Sequence, residues 1–146
     1  EFAESAVKFY EMVTGKKAQP HPTKKFLDCD NIEVLKALNL SITAGVGDGT
    51  KFEPDSYLLR QQMAAMITRT LTACYEELVL DISGQPDFLD QKEFAAYAIN
   101  PAKFMAKYKI TVGDGKGNFI PNNNCSRQEA IAFLLRSYLN GDQYLK

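Results

Sequence analysis

The histidine and cysteines, the residues best suited to nucleophilic and metal chemistry, are few and badly placed for it. The single histidine, His21, sits between Pro20 and Pro22, and three cysteines, Cys29, Cys74 and Cys125, lie far apart with no Cys-x-x-Cys pair. That spacing argues against a zinc site. No Ser-His-Asp, Cys-His or paired-carboxylate set can be assembled around a histidine in a linker, so no enzyme is expected. An odd cysteine count permits at most one internal disulfide, and the three read as small apolar fillers rather than reactive thiols. The remaining candidate is Gly-Asp-Gly-Lys-Gly-Asn at 113–118, which has the flavour of a calcium loop. Counted from Asp114, however, Lys116 falls on a ligand position, Phe119 where the loop needs glycine, and Cys125 where it needs a bidentate glutamate. Asp48 and Asp114 are therefore expected to form turns, and no metal or cofactor is called for.

The rest of the composition bounds the answer. With 45% hydrophobic and 24% charged residues the chain is that of a globular protein, long enough for one folding unit with a real core. No apolar run approaches the roughly 20 residues that cross a bilayer. Seventeen basic residues against 18 acidic ones leave a formal net charge of -1, so no overall field favours nucleic acid, and an anionic ligand must be caught locally. The first ten residues read as the middle of an amphipathic helix, as though the chain begins inside a larger protein, where the lack of a leader carries no information.

What must position any site is a repeat. Phe26-Leu27-Asp28 recurs as Phe88-Leu89-Asp90. Each is followed by an apolar helical stretch running to an Ile-Thr pair (42–43 and 110–111), by Val-Gly-Asp-Gly (46–49 and 112–115), by Phe-x-Pro (52–54 and 119–121) and by an arginine entering a helix, Arg60 or Arg127. The offset drifts from 62 (88 − 26) to 67 (127 − 60), which places insertions in the first half of the second copy. Gly-Asp-Gly supplies positive φ and a side-chain acceptor for a turn that should stop the first helix. Ser126 with Glu129 three residues on has the spacing of a capping box. Met63, Met66, Ile67, Thr70 and Leu71 follow helical spacing, as do Ile131, Leu134, Leu135 and Tyr138, and both sets are expected to face the core. Residues 2–14 carry the same pattern, with Gly15 suited to the position after the helix.

This order of landmarks resembles the S-layer homology family over nearly the whole chain: Phe26–Leu71 looks like one repeat, Phe88–Leu139 like another, and Glu1–Thr14 is similar to the family's closing helix. The resemblance implies an all-α fold of helix–loop–helix repeats in a pseudo-threefold bundle with the first repeat truncated. Residues 1–19 would be the closing helix and linker, 20–80 and 81–146 the two repeats, all one folding unit. It implies a non-catalytic, extracellular anchor that binds a secondary cell-wall polymer, a pyruvylated or otherwise anionic polysaccharide, in grooves between repeats on a Gram-positive-type envelope. The alternative on the same fold is a protein-assembly module that has lost polymer binding, with other domains or chains completing the truncated repeat. Carried over residue by residue, the family's groove motif falls on Ser126, Arg127 and Glu129. It falls also on Arg60, where Leu59 replaces the usual hydroxyl residue and Gln62 the usual acid, and the turn glycines Gly49 and Gly115 are further ligand candidates through backbone that a sugar can approach. For Arg127 the implication is physically sound, since a guanidinium fork beside a helix N-terminus suits a carboxylate or phosphate. The competing role for both arginines is to bond loop carbonyls and fix the turn.

Overall fold

The computed structural model describes residues 1–145. Its regular elements are helices: α1 (Phe2–Thr14), α2 (Ile32–Asn39), α3 (Arg60–Cys74), α4 (Ile99–Lys107), α5 (Arg127–Leu139) and α6 (Gly141–Tyr144), with two 3-10 turns, Gln91–Glu93 and Ala96–Ala98, ahead of α4. Among the described residues there is no sheet. Strand-like pairing is confined to two isolated antiparallel bridges, Val46 with Lys51 and Leu59 with Asn124. The fold is all-α, as the helical periodicity of both repeats predicts.

The residues form two compact units: Glu1–Ser56 with Arg69–Glu76, and Tyr57–Thr68 with the chain from Glu77 onward. Helix α3 is therefore shared between them. In the first unit α1 packs on α2. Its apolar spacing buries Ala3, Ala6, Val7 and Phe9, and Gly15, at φ 70, ends it by returning its N–H to the Glu11 carbonyl. Helix α2 starts on Asn31, whose side-chain oxygen accepts from the N–H of Glu33 and Val34. Phe26, Val34, Leu35, Ala37 and Ile42 are buried in this unit.

The first helices end earlier than the Gly-Asp-Gly reading expects. Ser41 (φ 61) and Lys109 (φ 59) turn the chain left-handed one residue before the Ile-Thr pairs. The following N–H groups reach back to close the helix ends, Ile42 to the Ala37 carbonyl at 2.9 Å and Ile110 to Met105 at 2.8 Å. A serine and a lysine thus hold a position that glycine usually takes.

The second unit carries the insertion seen in the repeat offset. Nine residues separate Asp90 from Ile99 where four separate Asp28 from Ile32, and the 3-10 turns occupy the difference. Two ring clusters brace this unit, each part buried and part half-buried: Phe88, Phe94 and Phe119 form one triangle with centroids 5.3–5.6 Å apart, and Phe104, Tyr108 and Tyr144 form another at 4.9–5.4 Å. Such contacts add about 0.5–1.5 kcal/mol each to the burial itself. The Tyr144 hydroxyl donates to the Ser137 carbonyl, which returns α6 onto α5.

Candidate functional site

The starts of α3 and α5 meet within the second unit. The segment before α3 pairs with the loop before α5: Cys125 N–H donates to the Leu58 carbonyl (2.7 Å), Arg60 N–H to Asn123 (2.9 Å) and Gln61 N–H to Pro121 (3.1 Å). Two orphan donors at the start of α3, the N–H groups of Arg60 and Gln61, thus find partners in this loop pairing. Gln61 ties the same loop to the inserted turn. Its amide nitrogen donates to Asn122 Oδ1, its oxygen accepts from Ala95 N–H, both at 2.8 Å, and Asn122 in turn donates to the Glu93 carbonyl.

Arg60 is buried at the centre of this arrangement. Its Nε donates to the Phe119 carbonyl at 2.9 Å, an Nη pairs with the Glu129 carboxylate, and its guanidinium lies over the Phe119 ring (5.0 Å) and beside Phe133 (5.7 Å). Glu129 is shared: its N–H donates to Ser126 Oγ at 3.1 Å, so Ser126 caps α5 as its spacing predicts, while its carboxylate goes to Arg60. Arg127 is exposed beside Ser126. At α3, Gln62 Oε1 accepts from Leu59 N–H at 2.9 Å.

The Gly-Asp-Gly loops are internally bonded. Asp48 accepts from Thr50 Oγ1 (2.7 Å) and Thr50 N–H (3.0 Å), and Asp114 accepts from the Asn118 side chain (2.9 Å) and from the N–H of Lys116 and Asn118. Those bonds, the side-chain ones foremost, hold both carboxyls below the usual carboxylate range. Gly49 and Gly115, the glycines after the two aspartates, have φ 84 and 77.

One register differs from the sequence reading. Matching letters align Gly47 with Gly113, yet the backbone aligns Gly45 with Gly113. Both donate N–H to the hydroxyl of the threonine two residues earlier at 3.2 Å, and both come so close to the far side of the loop that a Cβ would strike its carbonyl. Gly47 has open space there. The first loop is one residue longer, and the repeated motif slides along it.

The residues that sequence reasoning left without a role are the aspartates of Phe-Leu-Asp. Asp28 accepts from the N–H of Phe52 and Glu53, both at 2.8 Å, and Asp90 from Phe119 and Ile120 at 3.0 and 2.8 Å. Glu53 (φ 56) and Ile120 (φ 62) are left-handed, a conformation uncommon outside glycine and costliest for the β-branched Ile120, so each aspartate clamps a left-handed Phe-x-Pro turn. Asp90 thereby fixes the carbonyl that holds Arg60. The available signal was the recurrence of Asp two residues after each opening phenylalanine. The cysteines are free and half-buried; burial pushes the Cys74 thiol up to about 12 and Cys125 up to about 11, where a thiolate is scarce at neutral pH.

The stretch that holds the Asp90 clamp, the Phe119 turn and the Ser126 cap has a counterpart among known families. The S-layer homology domain model matches residues 87–131, from the loop before Asp90 into the first turns of α5. The chain carries an S-layer homology domain. It is 31% identical over 104 residues to a cell surface protein of Thermoanaerobacter kivui, a stretch covering 71% of this chain and 13% of that protein. It is 31% identical over 103 residues, 67% of this chain, to an amylopullulanase of Thermoanaerobacterium thermosulfurigenes, of which the match covers 5%. The chain therefore spans only a small part of each relative's length. S-layer homology domains attach proteins to the cell wall, and this one belongs to an extracellular or wall-associated setting. No helix among the described residues is long and apolar enough to cross a membrane.

Proposed function

We propose that this S-layer homology domain is a non-catalytic anchor that binds an anionic secondary cell-wall polymer, a pyruvylated glycan or one of similar charge, on a Gram-positive-type envelope. The observation that carries the reading is exposure: Arg127 is open to solvent at the start of α5 next to Ser126, where a polymer can reach it, while Arg60 is buried against Phe119 and Glu129. In this reading Arg127 contacts the carboxylate or phosphate of the polymer and Ser126 lies alongside. Glu129, Arg60 and Gln62 form the frame that holds the helix start. Gly115, with Gly49 in the other repeat, offers bare backbone for a sugar to approach. Residues 1–19, 20–80 and 81–146 are taken as a closing helix and two repeats.

The test is sedimentation with purified bacterial wall sacculi, with and without chemical removal of the secondary polymer. Binding should require the polymer, and Arg127→Ala should weaken it about tenfold or more, the loss of one charge-assisted contact. Equal binding to stripped sacculi, or an Arg127→Ala protein that binds as well as the parent, would shift the assignment to a protein-assembly module. The sequestration of Arg60 is the observation that favours that second reading.

A further inference from the structure

Three tyrosines are more than half exposed: Tyr57 (80%), Tyr138 (54%) and Tyr97 (51%). Tyr138 lies on α5 with Ile131 and Leu135, whose helical spacing predicts a core face although all three meet solvent. Tyr97 belongs to the second 3-10 turn. Tyr57 is on no helix. It sits in the short extended segment between the turn at 54–56 and the start of α3, and the leucines after it, Leu58 and Leu59, are half-buried.

The loop pairing brings this ring to the start of α5. Leu59 bridges Asn124 in antiparallel sense, and one step outward the Cys125 N–H donates to the Leu58 carbonyl at 2.7 Å. The next residues outward on the two segments are Tyr57 and Ser126, the cap of α5, and Arg127 follows directly. One strand spacing and one chain step separate the backbones of Tyr57 and Arg127, on the order of 10 Å. Side chains as long as these two, both in solvent, can close on a single sugar unit from opposite edges. Asn124, exposed at the bridge, adds an amide that both donates to and accepts from hydroxyls.

A guanidinium recognises the acidic part of a polymer and nothing of its sugar rings. A pyranose presents C–H groups on its face and hydroxyls at its rim, and a tyrosine answers both with an apolar ring and a polar tip. Tyrosine also orders at little entropic cost, and with tryptophan and arginine it dominates binding hot spots. The repeat supplies a comparison within the chain: Tyr57 stands five residues after Phe52 (57 − 52) as Asn124 stands five after Phe119 (124 − 119), so this loop folds without a ring at that place. We propose that Tyr57 is the stacking platform for the pyranose that bears or adjoins the acidic group held at Arg127. The proposal rests on the polymer reading and deepens it: the site selects a sugar ring, where Arg127 alone would accept any anion.

The test measures affinity for the soluble polymer released from purified bacterial wall sacculi, at low and at high salt. Tyr57→Asn installs the residue that the other repeat carries and, at so exposed a position, should leave the melting temperature within about 1 °C. It should weaken binding about fivefold, the loss of one aromatic contact, and by the same factor at both salt concentrations. Arg127→Ala, by contrast, should lose most at low salt, where charge is least screened. Tyr57→Phe keeps the ring and should bind within about twofold of the parent. Bound polymer should also shield Tyr57 from nitration by tetranitromethane while Tyr138, about three turns along α5 from Arg127, stays reactive. Parent-like binding by Tyr57→Asn beside weak binding by Arg127→Ala overturns the proposal and leaves the polymer reading standing. Equal weakening by Tyr57→Asn and Tyr57→Phe also overturns it, because the ring would then not be the contact. A parent chain that does not bind the released polymer refutes the polymer reading, and this proposal with it.

Discussion

Arg60→Ala is the sharpest perturbation of the site, because it removes several interactions from a buried position at once. The guanidinium makes one charge-assisted bond to the Phe119 carbonyl, pairs with Glu129, and lies over the Phe119 ring at 5.0 Å. A hydrogen bond to a charged group contributes about 1.5–3 kcal/mol, and a desolvated cation–π contact about 0.5–2 kcal/mol. Glu129 keeps 40% of its side-chain surface, so water relieves part of its loss and the ion pair belongs at the low end. Together the loss should be about 3 kcal/mol, a fall in melting temperature of about 6–12 °C for a chain of this size. Urea denaturation of Arg60→Ala, Glu129→Gln and the double variant should give a coupling of about 1 kcal/mol between the two sites. Arg60→Lys should recover less than half, since an ammonium has no planar fork to bond Phe119 and Glu129 together. A loss under about 1 kcal/mol with no coupling would refute the claim that Arg60 is a structural tie.

Asp90→Asn should destabilise by about 1–3 kcal/mol in urea, because its amide can accept one N–H of the Phe119–Ile120 pair but sets a donor against the other; a neutral result would mean that the left-handed turn at Ile120 needs no clamp. Acid should act in the same direction. Backbone bonds from Phe52 and Glu53 hold Asp28 below its ordinary value, the Thr50 and Asn118 side chains do the same for Asp48 and Asp114, and the Lys107 ammonium holds Asp81 far below it. The folded state thus binds fewer protons than the unfolded one. This stability is complete above the unfolded value of about 3.9 and is lost as pH falls through the lower folded values; a melting temperature that is flat down to pH 5 and drops below pH 4 is expected, and a rise on acidification would contradict it. Gly45→Ala should cost more than about 2 kcal/mol, with a Cβ 2.6 Å from the Lys51 carbonyl and 2.7 Å from Phe26 at φ 81, whereas Gly47→Ala, with open space, should cost only about 1 kcal/mol. Equal costs would show that the register drawn from the backbone is wrong.

What the sequence disclosed was whatever is set locally or by periodicity. Helix α1 and its glycine stop, the Ser126 cap, the absence of sheet and the order of the repeat all depend on residues within one or two turns of each other. What it hid depends on contacts made across the chain. The identical letters Val-Gly-Asp-Gly suggested one register, but the carbonyl that forbids a side chain lies across the loop, and only its position shows that Gly45 is the constrained glycine. Likewise Ile131, Leu135 and Tyr138 have the spacing of a core face, yet spacing says that a face is apolar and not that anything covers it. Burial of Arg60 is set by Phe119 and Glu129, 59 and 69 residues away.

The two departures from the family motif at α3 answer each other, which alters what they imply. A capping box has two halves, a hydroxyl that accepts from the N–H three residues on and an acid or amide that reaches back to the first N–H. At α5 the first half is made by Ser126, and the side chain of Glu129 is released to hold Arg60. At α3 Leu59 has no hydroxyl, and Gln62 supplies the second half by accepting from Leu59 N–H, while the N–H groups of Arg60 and Gln61 bond the loop at 121–123. An acid at position 62 would place a second carboxylate in the α3 turn that Arg60 opens, in competition with Glu129 for a guanidinium that already serves one. Leucine and glutamine are thus residues that let α3 start against a loop and leave Arg60 to Glu129. Their presence is explained by structure, and it is no sign by itself that the module has lost its ligand; the weight of that question falls on Arg127.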